Sequence, residues 1–293
     1  VTPTPYDDEP APADPRPTTA ADGGPVRLRL DLAYDGTEFS GWARQPGLRT
    51  VEDTVATALA TGLRLTDPPV LTVAGRTDAG VHATGQVAHV DVPATAELDR
   101  LPRQLAGLLP PDVVVRRVTV AAPGFDARFS ATGRRYCYRV TDLPPDPLRR
   151  RDTVAWPRPL DPPAMEEAAA GLVGEHDFAA YCRPREGATT IRTLRRLQVE
   201  RAPDGVVVAT VEADAFCHNQ VRAMMGALLA VGEGRRPSEW PGEVLRAGVR
   251  DSAVTVAPPH GLALTHVDYP PADQLAAQAA RTRQVRRPPA GSE

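Results

Sequence analysis

Among the residues able to do chemistry, Asp78 has the most unusual setting. It stands in AGRTDAGVHATGQVAH, residues 74–89, with Arg76 just before it, glycines on both sides, and His82 and His89 downstream. Runs at Val70–Ala74 and Gln86–Val92 read as strands, so the carboxylate belongs to a tight connection between them. An aspartate there can be no more than a turn former. A catalytic carboxylate is the alternative, and Arg76, two residues away in an extended stretch, then shares its face. An aspartic-protease reading fails, because DAG is not the usual Asp-Thr/Ser-Gly and no second copy supplies a dyad.

Other chemistries lack their residues. The sequence has no G-x-x-x-x-G-K-[ST] phosphate loop, no G-x-G-x-x-G after a strand, no H-E-x-x-H, no G-x-S-x-G and no zinc-deaminase signature. The six histidines form no ligand-spaced set, so no metal site is indicated. Cys137, Cys182 and Cys217 are far apart and show no C-x-x-C pairing. That spacing indicates neither a disulfide framework nor a structural zinc, so each is expected as a small buried hydrophobe in a reduced compartment.

The chain of 293 residues can bury one large core or two ordinary ones. No apolar run reaches the roughly 20 residues of a membrane helix, and no basic-then-apolar leader opens the chain, so a cytoplasmic, non-membrane protein is expected. The net charge of −3 argues weakly against a nucleic-acid partner. However, the first 25 positions carry a net −4 and the last 23 a net +2, which leaves a near-neutral body that can still hold a basic cleft. Every basic residue is arginine, a type suited to phosphate and base recognition.

Residues 1–25, rich in Pro and Ala, read as a disordered tail, and 271–293 as a fraying basic tail. Between them the pattern is mixed α+β. VRLRLDLAY alternates as a half-buried strand, and Thr50 caps a helix whose first turn carries Glu52 and Asp53. A helix around Glu97–Leu109 and a strand at Val113–Val120 complete a first half, 26–122. A second half, 123–270, opens with RRYCYRV, which places Arg134, Tyr136, Tyr138 and Val140 on one face. It continues through a helix in DPPAMEEAAAGLVG, a hairpin around Asp204-Gly205, and a helix in HNQVRAMMGALLAVGEG with Val221, Met224, Met225, Leu228 and Leu229 on its buried side. A short helix near Ser238–Ala247 and a strand ending at Val267–Tyr269 close the body. Two similar α+β halves with mainly antiparallel sheets are expected, with a site in the cleft between them.

The whole word around Asp78 resembles the signature of the TruA family of tRNA pseudouridine synthases. LDLAYDGTEFSGWARQPGLRTVEDTVATAL resembles the family's opening strand, loop and helix, and FDARFSATGRRYCYRV its central arginine- and tyrosine-bearing segment. GEHDFAAYC, ADAFCHNQVRAMMGALLAVGEGR and APPHGLALTHVDY follow in the family's order, so the likeness spans about residues 26–270. It implies the pseudouridine synthase fold and cofactor-free isomerisation of uridine to its C-glycoside isomer. The implied targets are positions 38, 39 and 40 in the anticodon stem-loop of tRNA, and the implied assembly is a homodimer.

The resemblance makes Asp78 the essential carboxylate, Arg222 its partner and Tyr136 the active-site tyrosine. It assigns Arg76 to the RNA backbone and to holding the target base out of the stack. Arg44 and Gln45, in GWARQPG, fall in a loop the family uses near substrate. Arg128, Arg134 and Arg135 flank the tyrosine strand and are candidates to meet phosphates. One departure is Ala106 in QLAGLLPPDV, where many relatives carry asparagine. The rival reading is an RNA-binding or RNA-chaperone module on the same scaffold, which would have no need to keep the carboxylate.

Overall fold

The computed structural model of the protein describes residues 24–94, 96, 98–183 and 189–284. Nearly all of the expected N-terminal tail lies outside the described residues, as do the last nine positions.

A single sheet runs through the body. Its strands are β1 (Val26–Tyr34), β2 (Thr72–Val73), β3 (His82–Val92), β4 (Val113–Val120), β5 (Gly133–Thr141), β6 (Val154–Ala155), β7 (Gly174–Asp177), β8 (Ile191–Arg201), β9 (Val207–Ala213) and β10 (Leu262–Asp268). The order is β4-β1-β3-β10-β5-β9-β8-β7, with β2 beside β3 and β6 beside β5. Each expected half supplies a contiguous block of strands, and the blocks are stitched into one sheet rather than two. The stitch is small: β10 pairs parallel to β3 only at Ala263 with His82 and Leu264 with Ala83. On its other side β10 runs antiparallel to β5. Gly85 lets the backbones close at this seam, since a Cβ there would sit 2.0 Å from the Thr265 carbonyl oxygen.

The strands form where alternation demands one wet and one dry face. Leu28, Leu30, Leu32 and Tyr34 of β1 are buried, as are Arg134, Tyr136, Tyr138 and Val140 of β5. The β8–β9 hairpin turns at Asp204-Gly205, where Gly205 takes φ +84°.

The helices are α1 (Val51–Leu63), α2 (Leu101–Leu108), α3 (Pro162–Ala170), α4 (Gln220–Gly232), α5 (Trp240–Ala247) and α6 (Leu275–Arg283). Thr50 caps α1 by accepting from the Asp53 amide. In α4 every residue but Arg222 is buried, so the expected stripe of five apolar residues is only part of a helix enclosed nearly all round. Its contacts with α3 and α5 and the close approach at Gly226, whose Cβ would overlap the Thr255 carbonyl, explain the enclosure.

Two expectations are corrected. The segment expected as a fraying tail contains α6, because Leu275 and Ala279, one turn apart, find an apolar seat against the body. Cys182 and Cys217, expected as separate buried thiols, are joined as a disulfide with Cα atoms 5.8 Å apart. Sequence spacing hides that proximity: the segments are side by side because the Arg183 amide donates to the His218 carbonyl at 3.0 Å. Cys137 is free.

Candidate active site

Asp78 lies in the loop between β2 and β3, and the loop is held from within. Thr77 points inward, with its hydroxyl 2.8 Å from the Tyr34 hydroxyl and its carbonyl accepting from the Trp42 amide at 3.0 Å. Gln86 donates to the Tyr34 hydroxyl and to the Gly75 carbonyl, closing the far side. The 36–42 segment presses so near that Gly41, at φ +93°, would put a Cβ 2.9 Å from the Thr77 carbonyl oxygen. With Thr77 buried, alternation turns Arg76 and Asp78 outward together.

They face a cleft of about 1250 Å³ lined from both halves of the chain. Across it stands α4. Its Arg222 Nη1 is 3.6 Å from Asp78 Oδ2, and His218 Nε2, just before the helix, is 3.4 Å from Asp78 Oδ1. Each carboxylate oxygen therefore has its own nitrogen partner. The partners are themselves positioned. Arg222 Nε donates to the Ala257 carbonyl at 2.8 Å, and Nη1 lies 3.4 Å from Asn219 Oδ1. Asn219 adopts φ +65°, a left-handed turn that lets the chain enter α4, and Gln220 accepts from the Cys217 amide. The disulfide pins the same turn.

Tyr136 forms the cleft wall beside Asp78. Its ring meets Phe216 edge-on, with centroids 5.2 Å apart. Burial, helped by Tyr34 and Asp78 and opposed by Arg134, pushes the Tyr136 phenol well above its usual pKa, so it remains an O–H donor at neutral pH. Tyr34 beneath it is pushed up to about 12 by burial. Among the described residues no cluster of three His, Cys, Asp or Glu side chains could hold a metal. No described helix is long and apolar enough to cross a membrane.

A tRNA pseudouridine synthase sequence profile matches residues 168–270, the part of the chain that carries α4 and His218. A tRNA pseudouridine synthase A from Frankia casuarinae is 65% identical over 272 residues, 92% of this chain and 98% of that protein. The chain belongs to the tRNA pseudouridine synthase A family. Relatives of the same name from Streptomyces griseus and Mycobacterium leprae are 58% and 49% identical, over 91% and 89% of the chain and 96% of each relative. The chain is thus an enzyme of an RNA-uridine isomerase family, with a mixed α+β fold built on a mainly antiparallel sheet.

Within this synthase, the residues expected at the site separate into three groups. Asp78, Arg222, Tyr136, Arg76, Gln45 and Arg128 all line the cleft. Arg134 lines it too, but it is buried and makes four hydrogen bonds to the carbonyls of Ala74, Asp214 and Arg128. It braces the wall, and the expectation that it meets phosphate is corrected. Arg44 and Arg135 are not in the cleft. Arg44 pairs with Asp53 in the first turn of α1. Arg135 sits on the opposite face of β5 from Tyr136 and pairs with Glu212, as strand alternation requires.

Sequence reasoning missed His218, which looks like an isolated histidine. No local signal was available, because His218 precedes the left-handed Asn219 turn and lies outside the helical spacing of α4. Also missed were Arg195 and α6, whose Gln278, Arg281 and Thr282 line the same cleft. Among the described lining residues, arginines outnumber carboxylates, so the near-neutral chain does concentrate positive charge here. Ala106, the departure from the family pattern, is exposed on α2 and outside the cleft.

Proposed function

We propose that this synthase isomerises uridines 38, 39 and 40 in the anticodon arm of tRNA, with Asp78 as the essential carboxylate and no cofactor. The reaction breaks the N1–C1′ glycosidic bond, lets the detached uracil turn, and joins C5 to C1′. C5 loses its proton and N1 gains one, so the sum is an isomerisation. Asp78 acts on the ribose, by attack at C1′ to give a covalent intermediate or by removing a sugar proton. Both routes need an ionised carboxylate, and the observation that carries this reading is Asp78 itself, open to a basic cleft with Arg222 and His218 on its two oxygens.

The remaining roles follow from placement. Arg222 and His218 orient the carboxylate. Tyr136 offers a nearly buried ring against which a flipped uracil can stack, and a hydroxyl that can donate but not serve as a resting phenolate. Arg76 is exposed in the cleft and makes no ion pair among the described residues, so it can meet the RNA backbone and occupy the place the base leaves. Flipping costs a few kcal/mol, which such an occupant offsets. Arg128 adds a phosphate contact at the rim. We further infer a homodimer working in the cytoplasm, in keeping with the family likeness.

The test is tritium release from C5-tritiated uridine in unmodified tRNA, comparing the protein with Asp78→Asn. Release by the unaltered protein alone, without added metal or cofactor, is expected. Equal release by both would remove Asp78 from the reaction. Tight tRNA binding with no release from either would favour the RNA-chaperone reading.

A further inference from the structure

We propose that α6 is a built part of the RNA-binding surface, with Arg281, Gln278 and Thr282 contacting the phosphate–ribose backbone of the bound RNA beyond the target nucleotide. The inference deepens the function proposed above and rests on RNA being the substrate.

The helix divides into three lengthwise strips. Leu275 and Ala279 form a buried central stripe. On one flank, Ala276 packs so closely on Gly124 that a Cβ there would lie 2.7 Å from its own, and Gly124 is at φ +77°. On that flank Arg283 also pairs with Asp126 at 2.9 Å and lies over the Phe129 ring. Ser130 adds a hydrogen bond to the Leu275 carbonyl. These contacts clamp the helix to the 124–130 segment, which also carries Arg128 into the cleft.

The other flank faces the cleft. Gln278, Arg281 and Thr282, spaced three and four apart, lie on one face and line the same cavity as Asp78. They are already organised as a row: Arg281 donates to Gln278 Oε1 at 2.8 Å, and Gln278 Nε2 donates to the Thr282 hydroxyl at 3.1 Å. Arg281 is exposed and, among the described residues, has no carboxylate partner, unlike Arg283. A row of guanidinium, amide and hydroxyl donors with no anion among them suits phosphate oxygens and ribose hydroxyls. An apolar peptide would find little to bury there, and a cationic partner would be repelled.

The experiment measures binding of an unmodified tRNA transcript between about 50 and 200 mM salt, a range over which counterion release makes phosphate contacts visible as a change in affinity. Arg281→Glu is expected to raise Kd about tenfold or more and to lower the slope of log Kd against log salt by about 1. Arg281→Ala, which only removes the charge, is expected to give a smaller rise of about three- to tenfold. Arg103→Glu, the same charge reversal on exposed α2 outside the cleft, should match the unaltered protein. Thermal melting of each variant guards against loss of fold. Unchanged Kd and slope in Arg281→Glu would overturn the proposal. The reaction is judged separately, by product formation in the unaltered protein. Binding that depends on Arg281 with no pseudouridine formed would uphold α6 and refute the proposed chemistry; product formed with no dependence on Arg281 would do the reverse. Failure to bind tRNA at all would refute both.

Discussion

Removing the Arg222 charge is the sharpest test of the site's electrostatics. Its Nη1 lies 3.6 Å from Asp78 Oδ2. At that separation two unit charges interact by about 1 kcal/mol in bulk water and by about 4–5 kcal/mol at an effective dielectric of about 20. The Arg222 side chain is 17% exposed and that of Asp78 30%, so the site falls between those limits. The pair is then worth about 2–3 kcal/mol for holding Asp78 ionised and oriented, and losing that placement should cost about 30- to 150-fold in rate. Arg222→Gln should show that loss in single-turnover tritium release at saturating tRNA, with a smaller change in tRNA affinity. Arg222→Lys keeps the charge but gives up the Nε bond to the Ala257 carbonyl, and should recover part of the rate. His218→Gln, measured alongside, should lose rate less than Arg222→Gln, because His218 is more exposed and its charge depends on protonation. An unaltered rate in Arg222→Gln would refute the reasoning. A defect confined to Kd would make Arg222 a phosphate contact instead.

Two predictions concern stability. Burial, with Arg27 nearby, holds the His89 imidazole below its usual pKa, and its Nδ1 accepts from the Ala127 amide at 2.9 Å. The unfolded chain therefore takes up a proton near pH 6.5 that the folded protein refuses, so this contribution is whole above about pH 6.5 and falls with acidification towards the lower folded value. Urea unfolding at pH 7.5 and 5.5 should show that loss, and His89→Gln should reduce it; His260, lowered by burial and His82, supplies a further share. An undiminished pH difference in His89→Gln would count against the assignment. At the seam, Gly85→Ala must move the Thr265 backbone, and should cost about 2–4 kcal/mol and lower Tm by about 5–10 °C. Gly107→Ala in α2, where nothing lies within 4 Å of the added carbon, should not destabilise. Equal melting of the two variants would show that the seam tolerates a side chain.

Much of this architecture was legible because its signals are local. Alternation located β1, β5 and the β8–β9 hairpin, and Thr50 with its acidic first turn located the start of α1. Alternation also carries the information that Arg135 must leave the site when Tyr136 enters it, although its neighbours in sequence make it look like one more phosphate-binding arginine. What stayed hidden depends on distant partners. Nothing near His218 announces that it will meet Asp78, 140 positions earlier, and nothing local brings Cys182 to Cys217. The amphipathic stripe of α6 is only two residues wide within a basic, alanine-rich segment, too weak to distinguish from a frayed end. The union of the two halves in one sheet rests on two paired residues and a glycine, which periodicity cannot reveal.

The position of β10 sets a timetable for the newborn chain. It is the last strand to be made, yet it occupies the middle of the sheet, beside a β3 partner roughly 180 residues upstream. At about 5–20 residues per second, the His82–Ala83 end of β3, beyond the part that β2 pairs, waits on the order of 10–40 s without its partner. An unpaired edge of that kind invites pairing with a neighbouring chain. Leu262 of β10 also belongs to the cleft wall, and the Ala257 carbonyl that steers Arg222 comes only five residues before it. A ribosome that stops short of this point therefore releases a chain in which β5 lacks its β10 partner and the cleft wall is unfinished. Such a fragment would be marked for removal by its own stickiness and would be unable to act on the tRNAs around it.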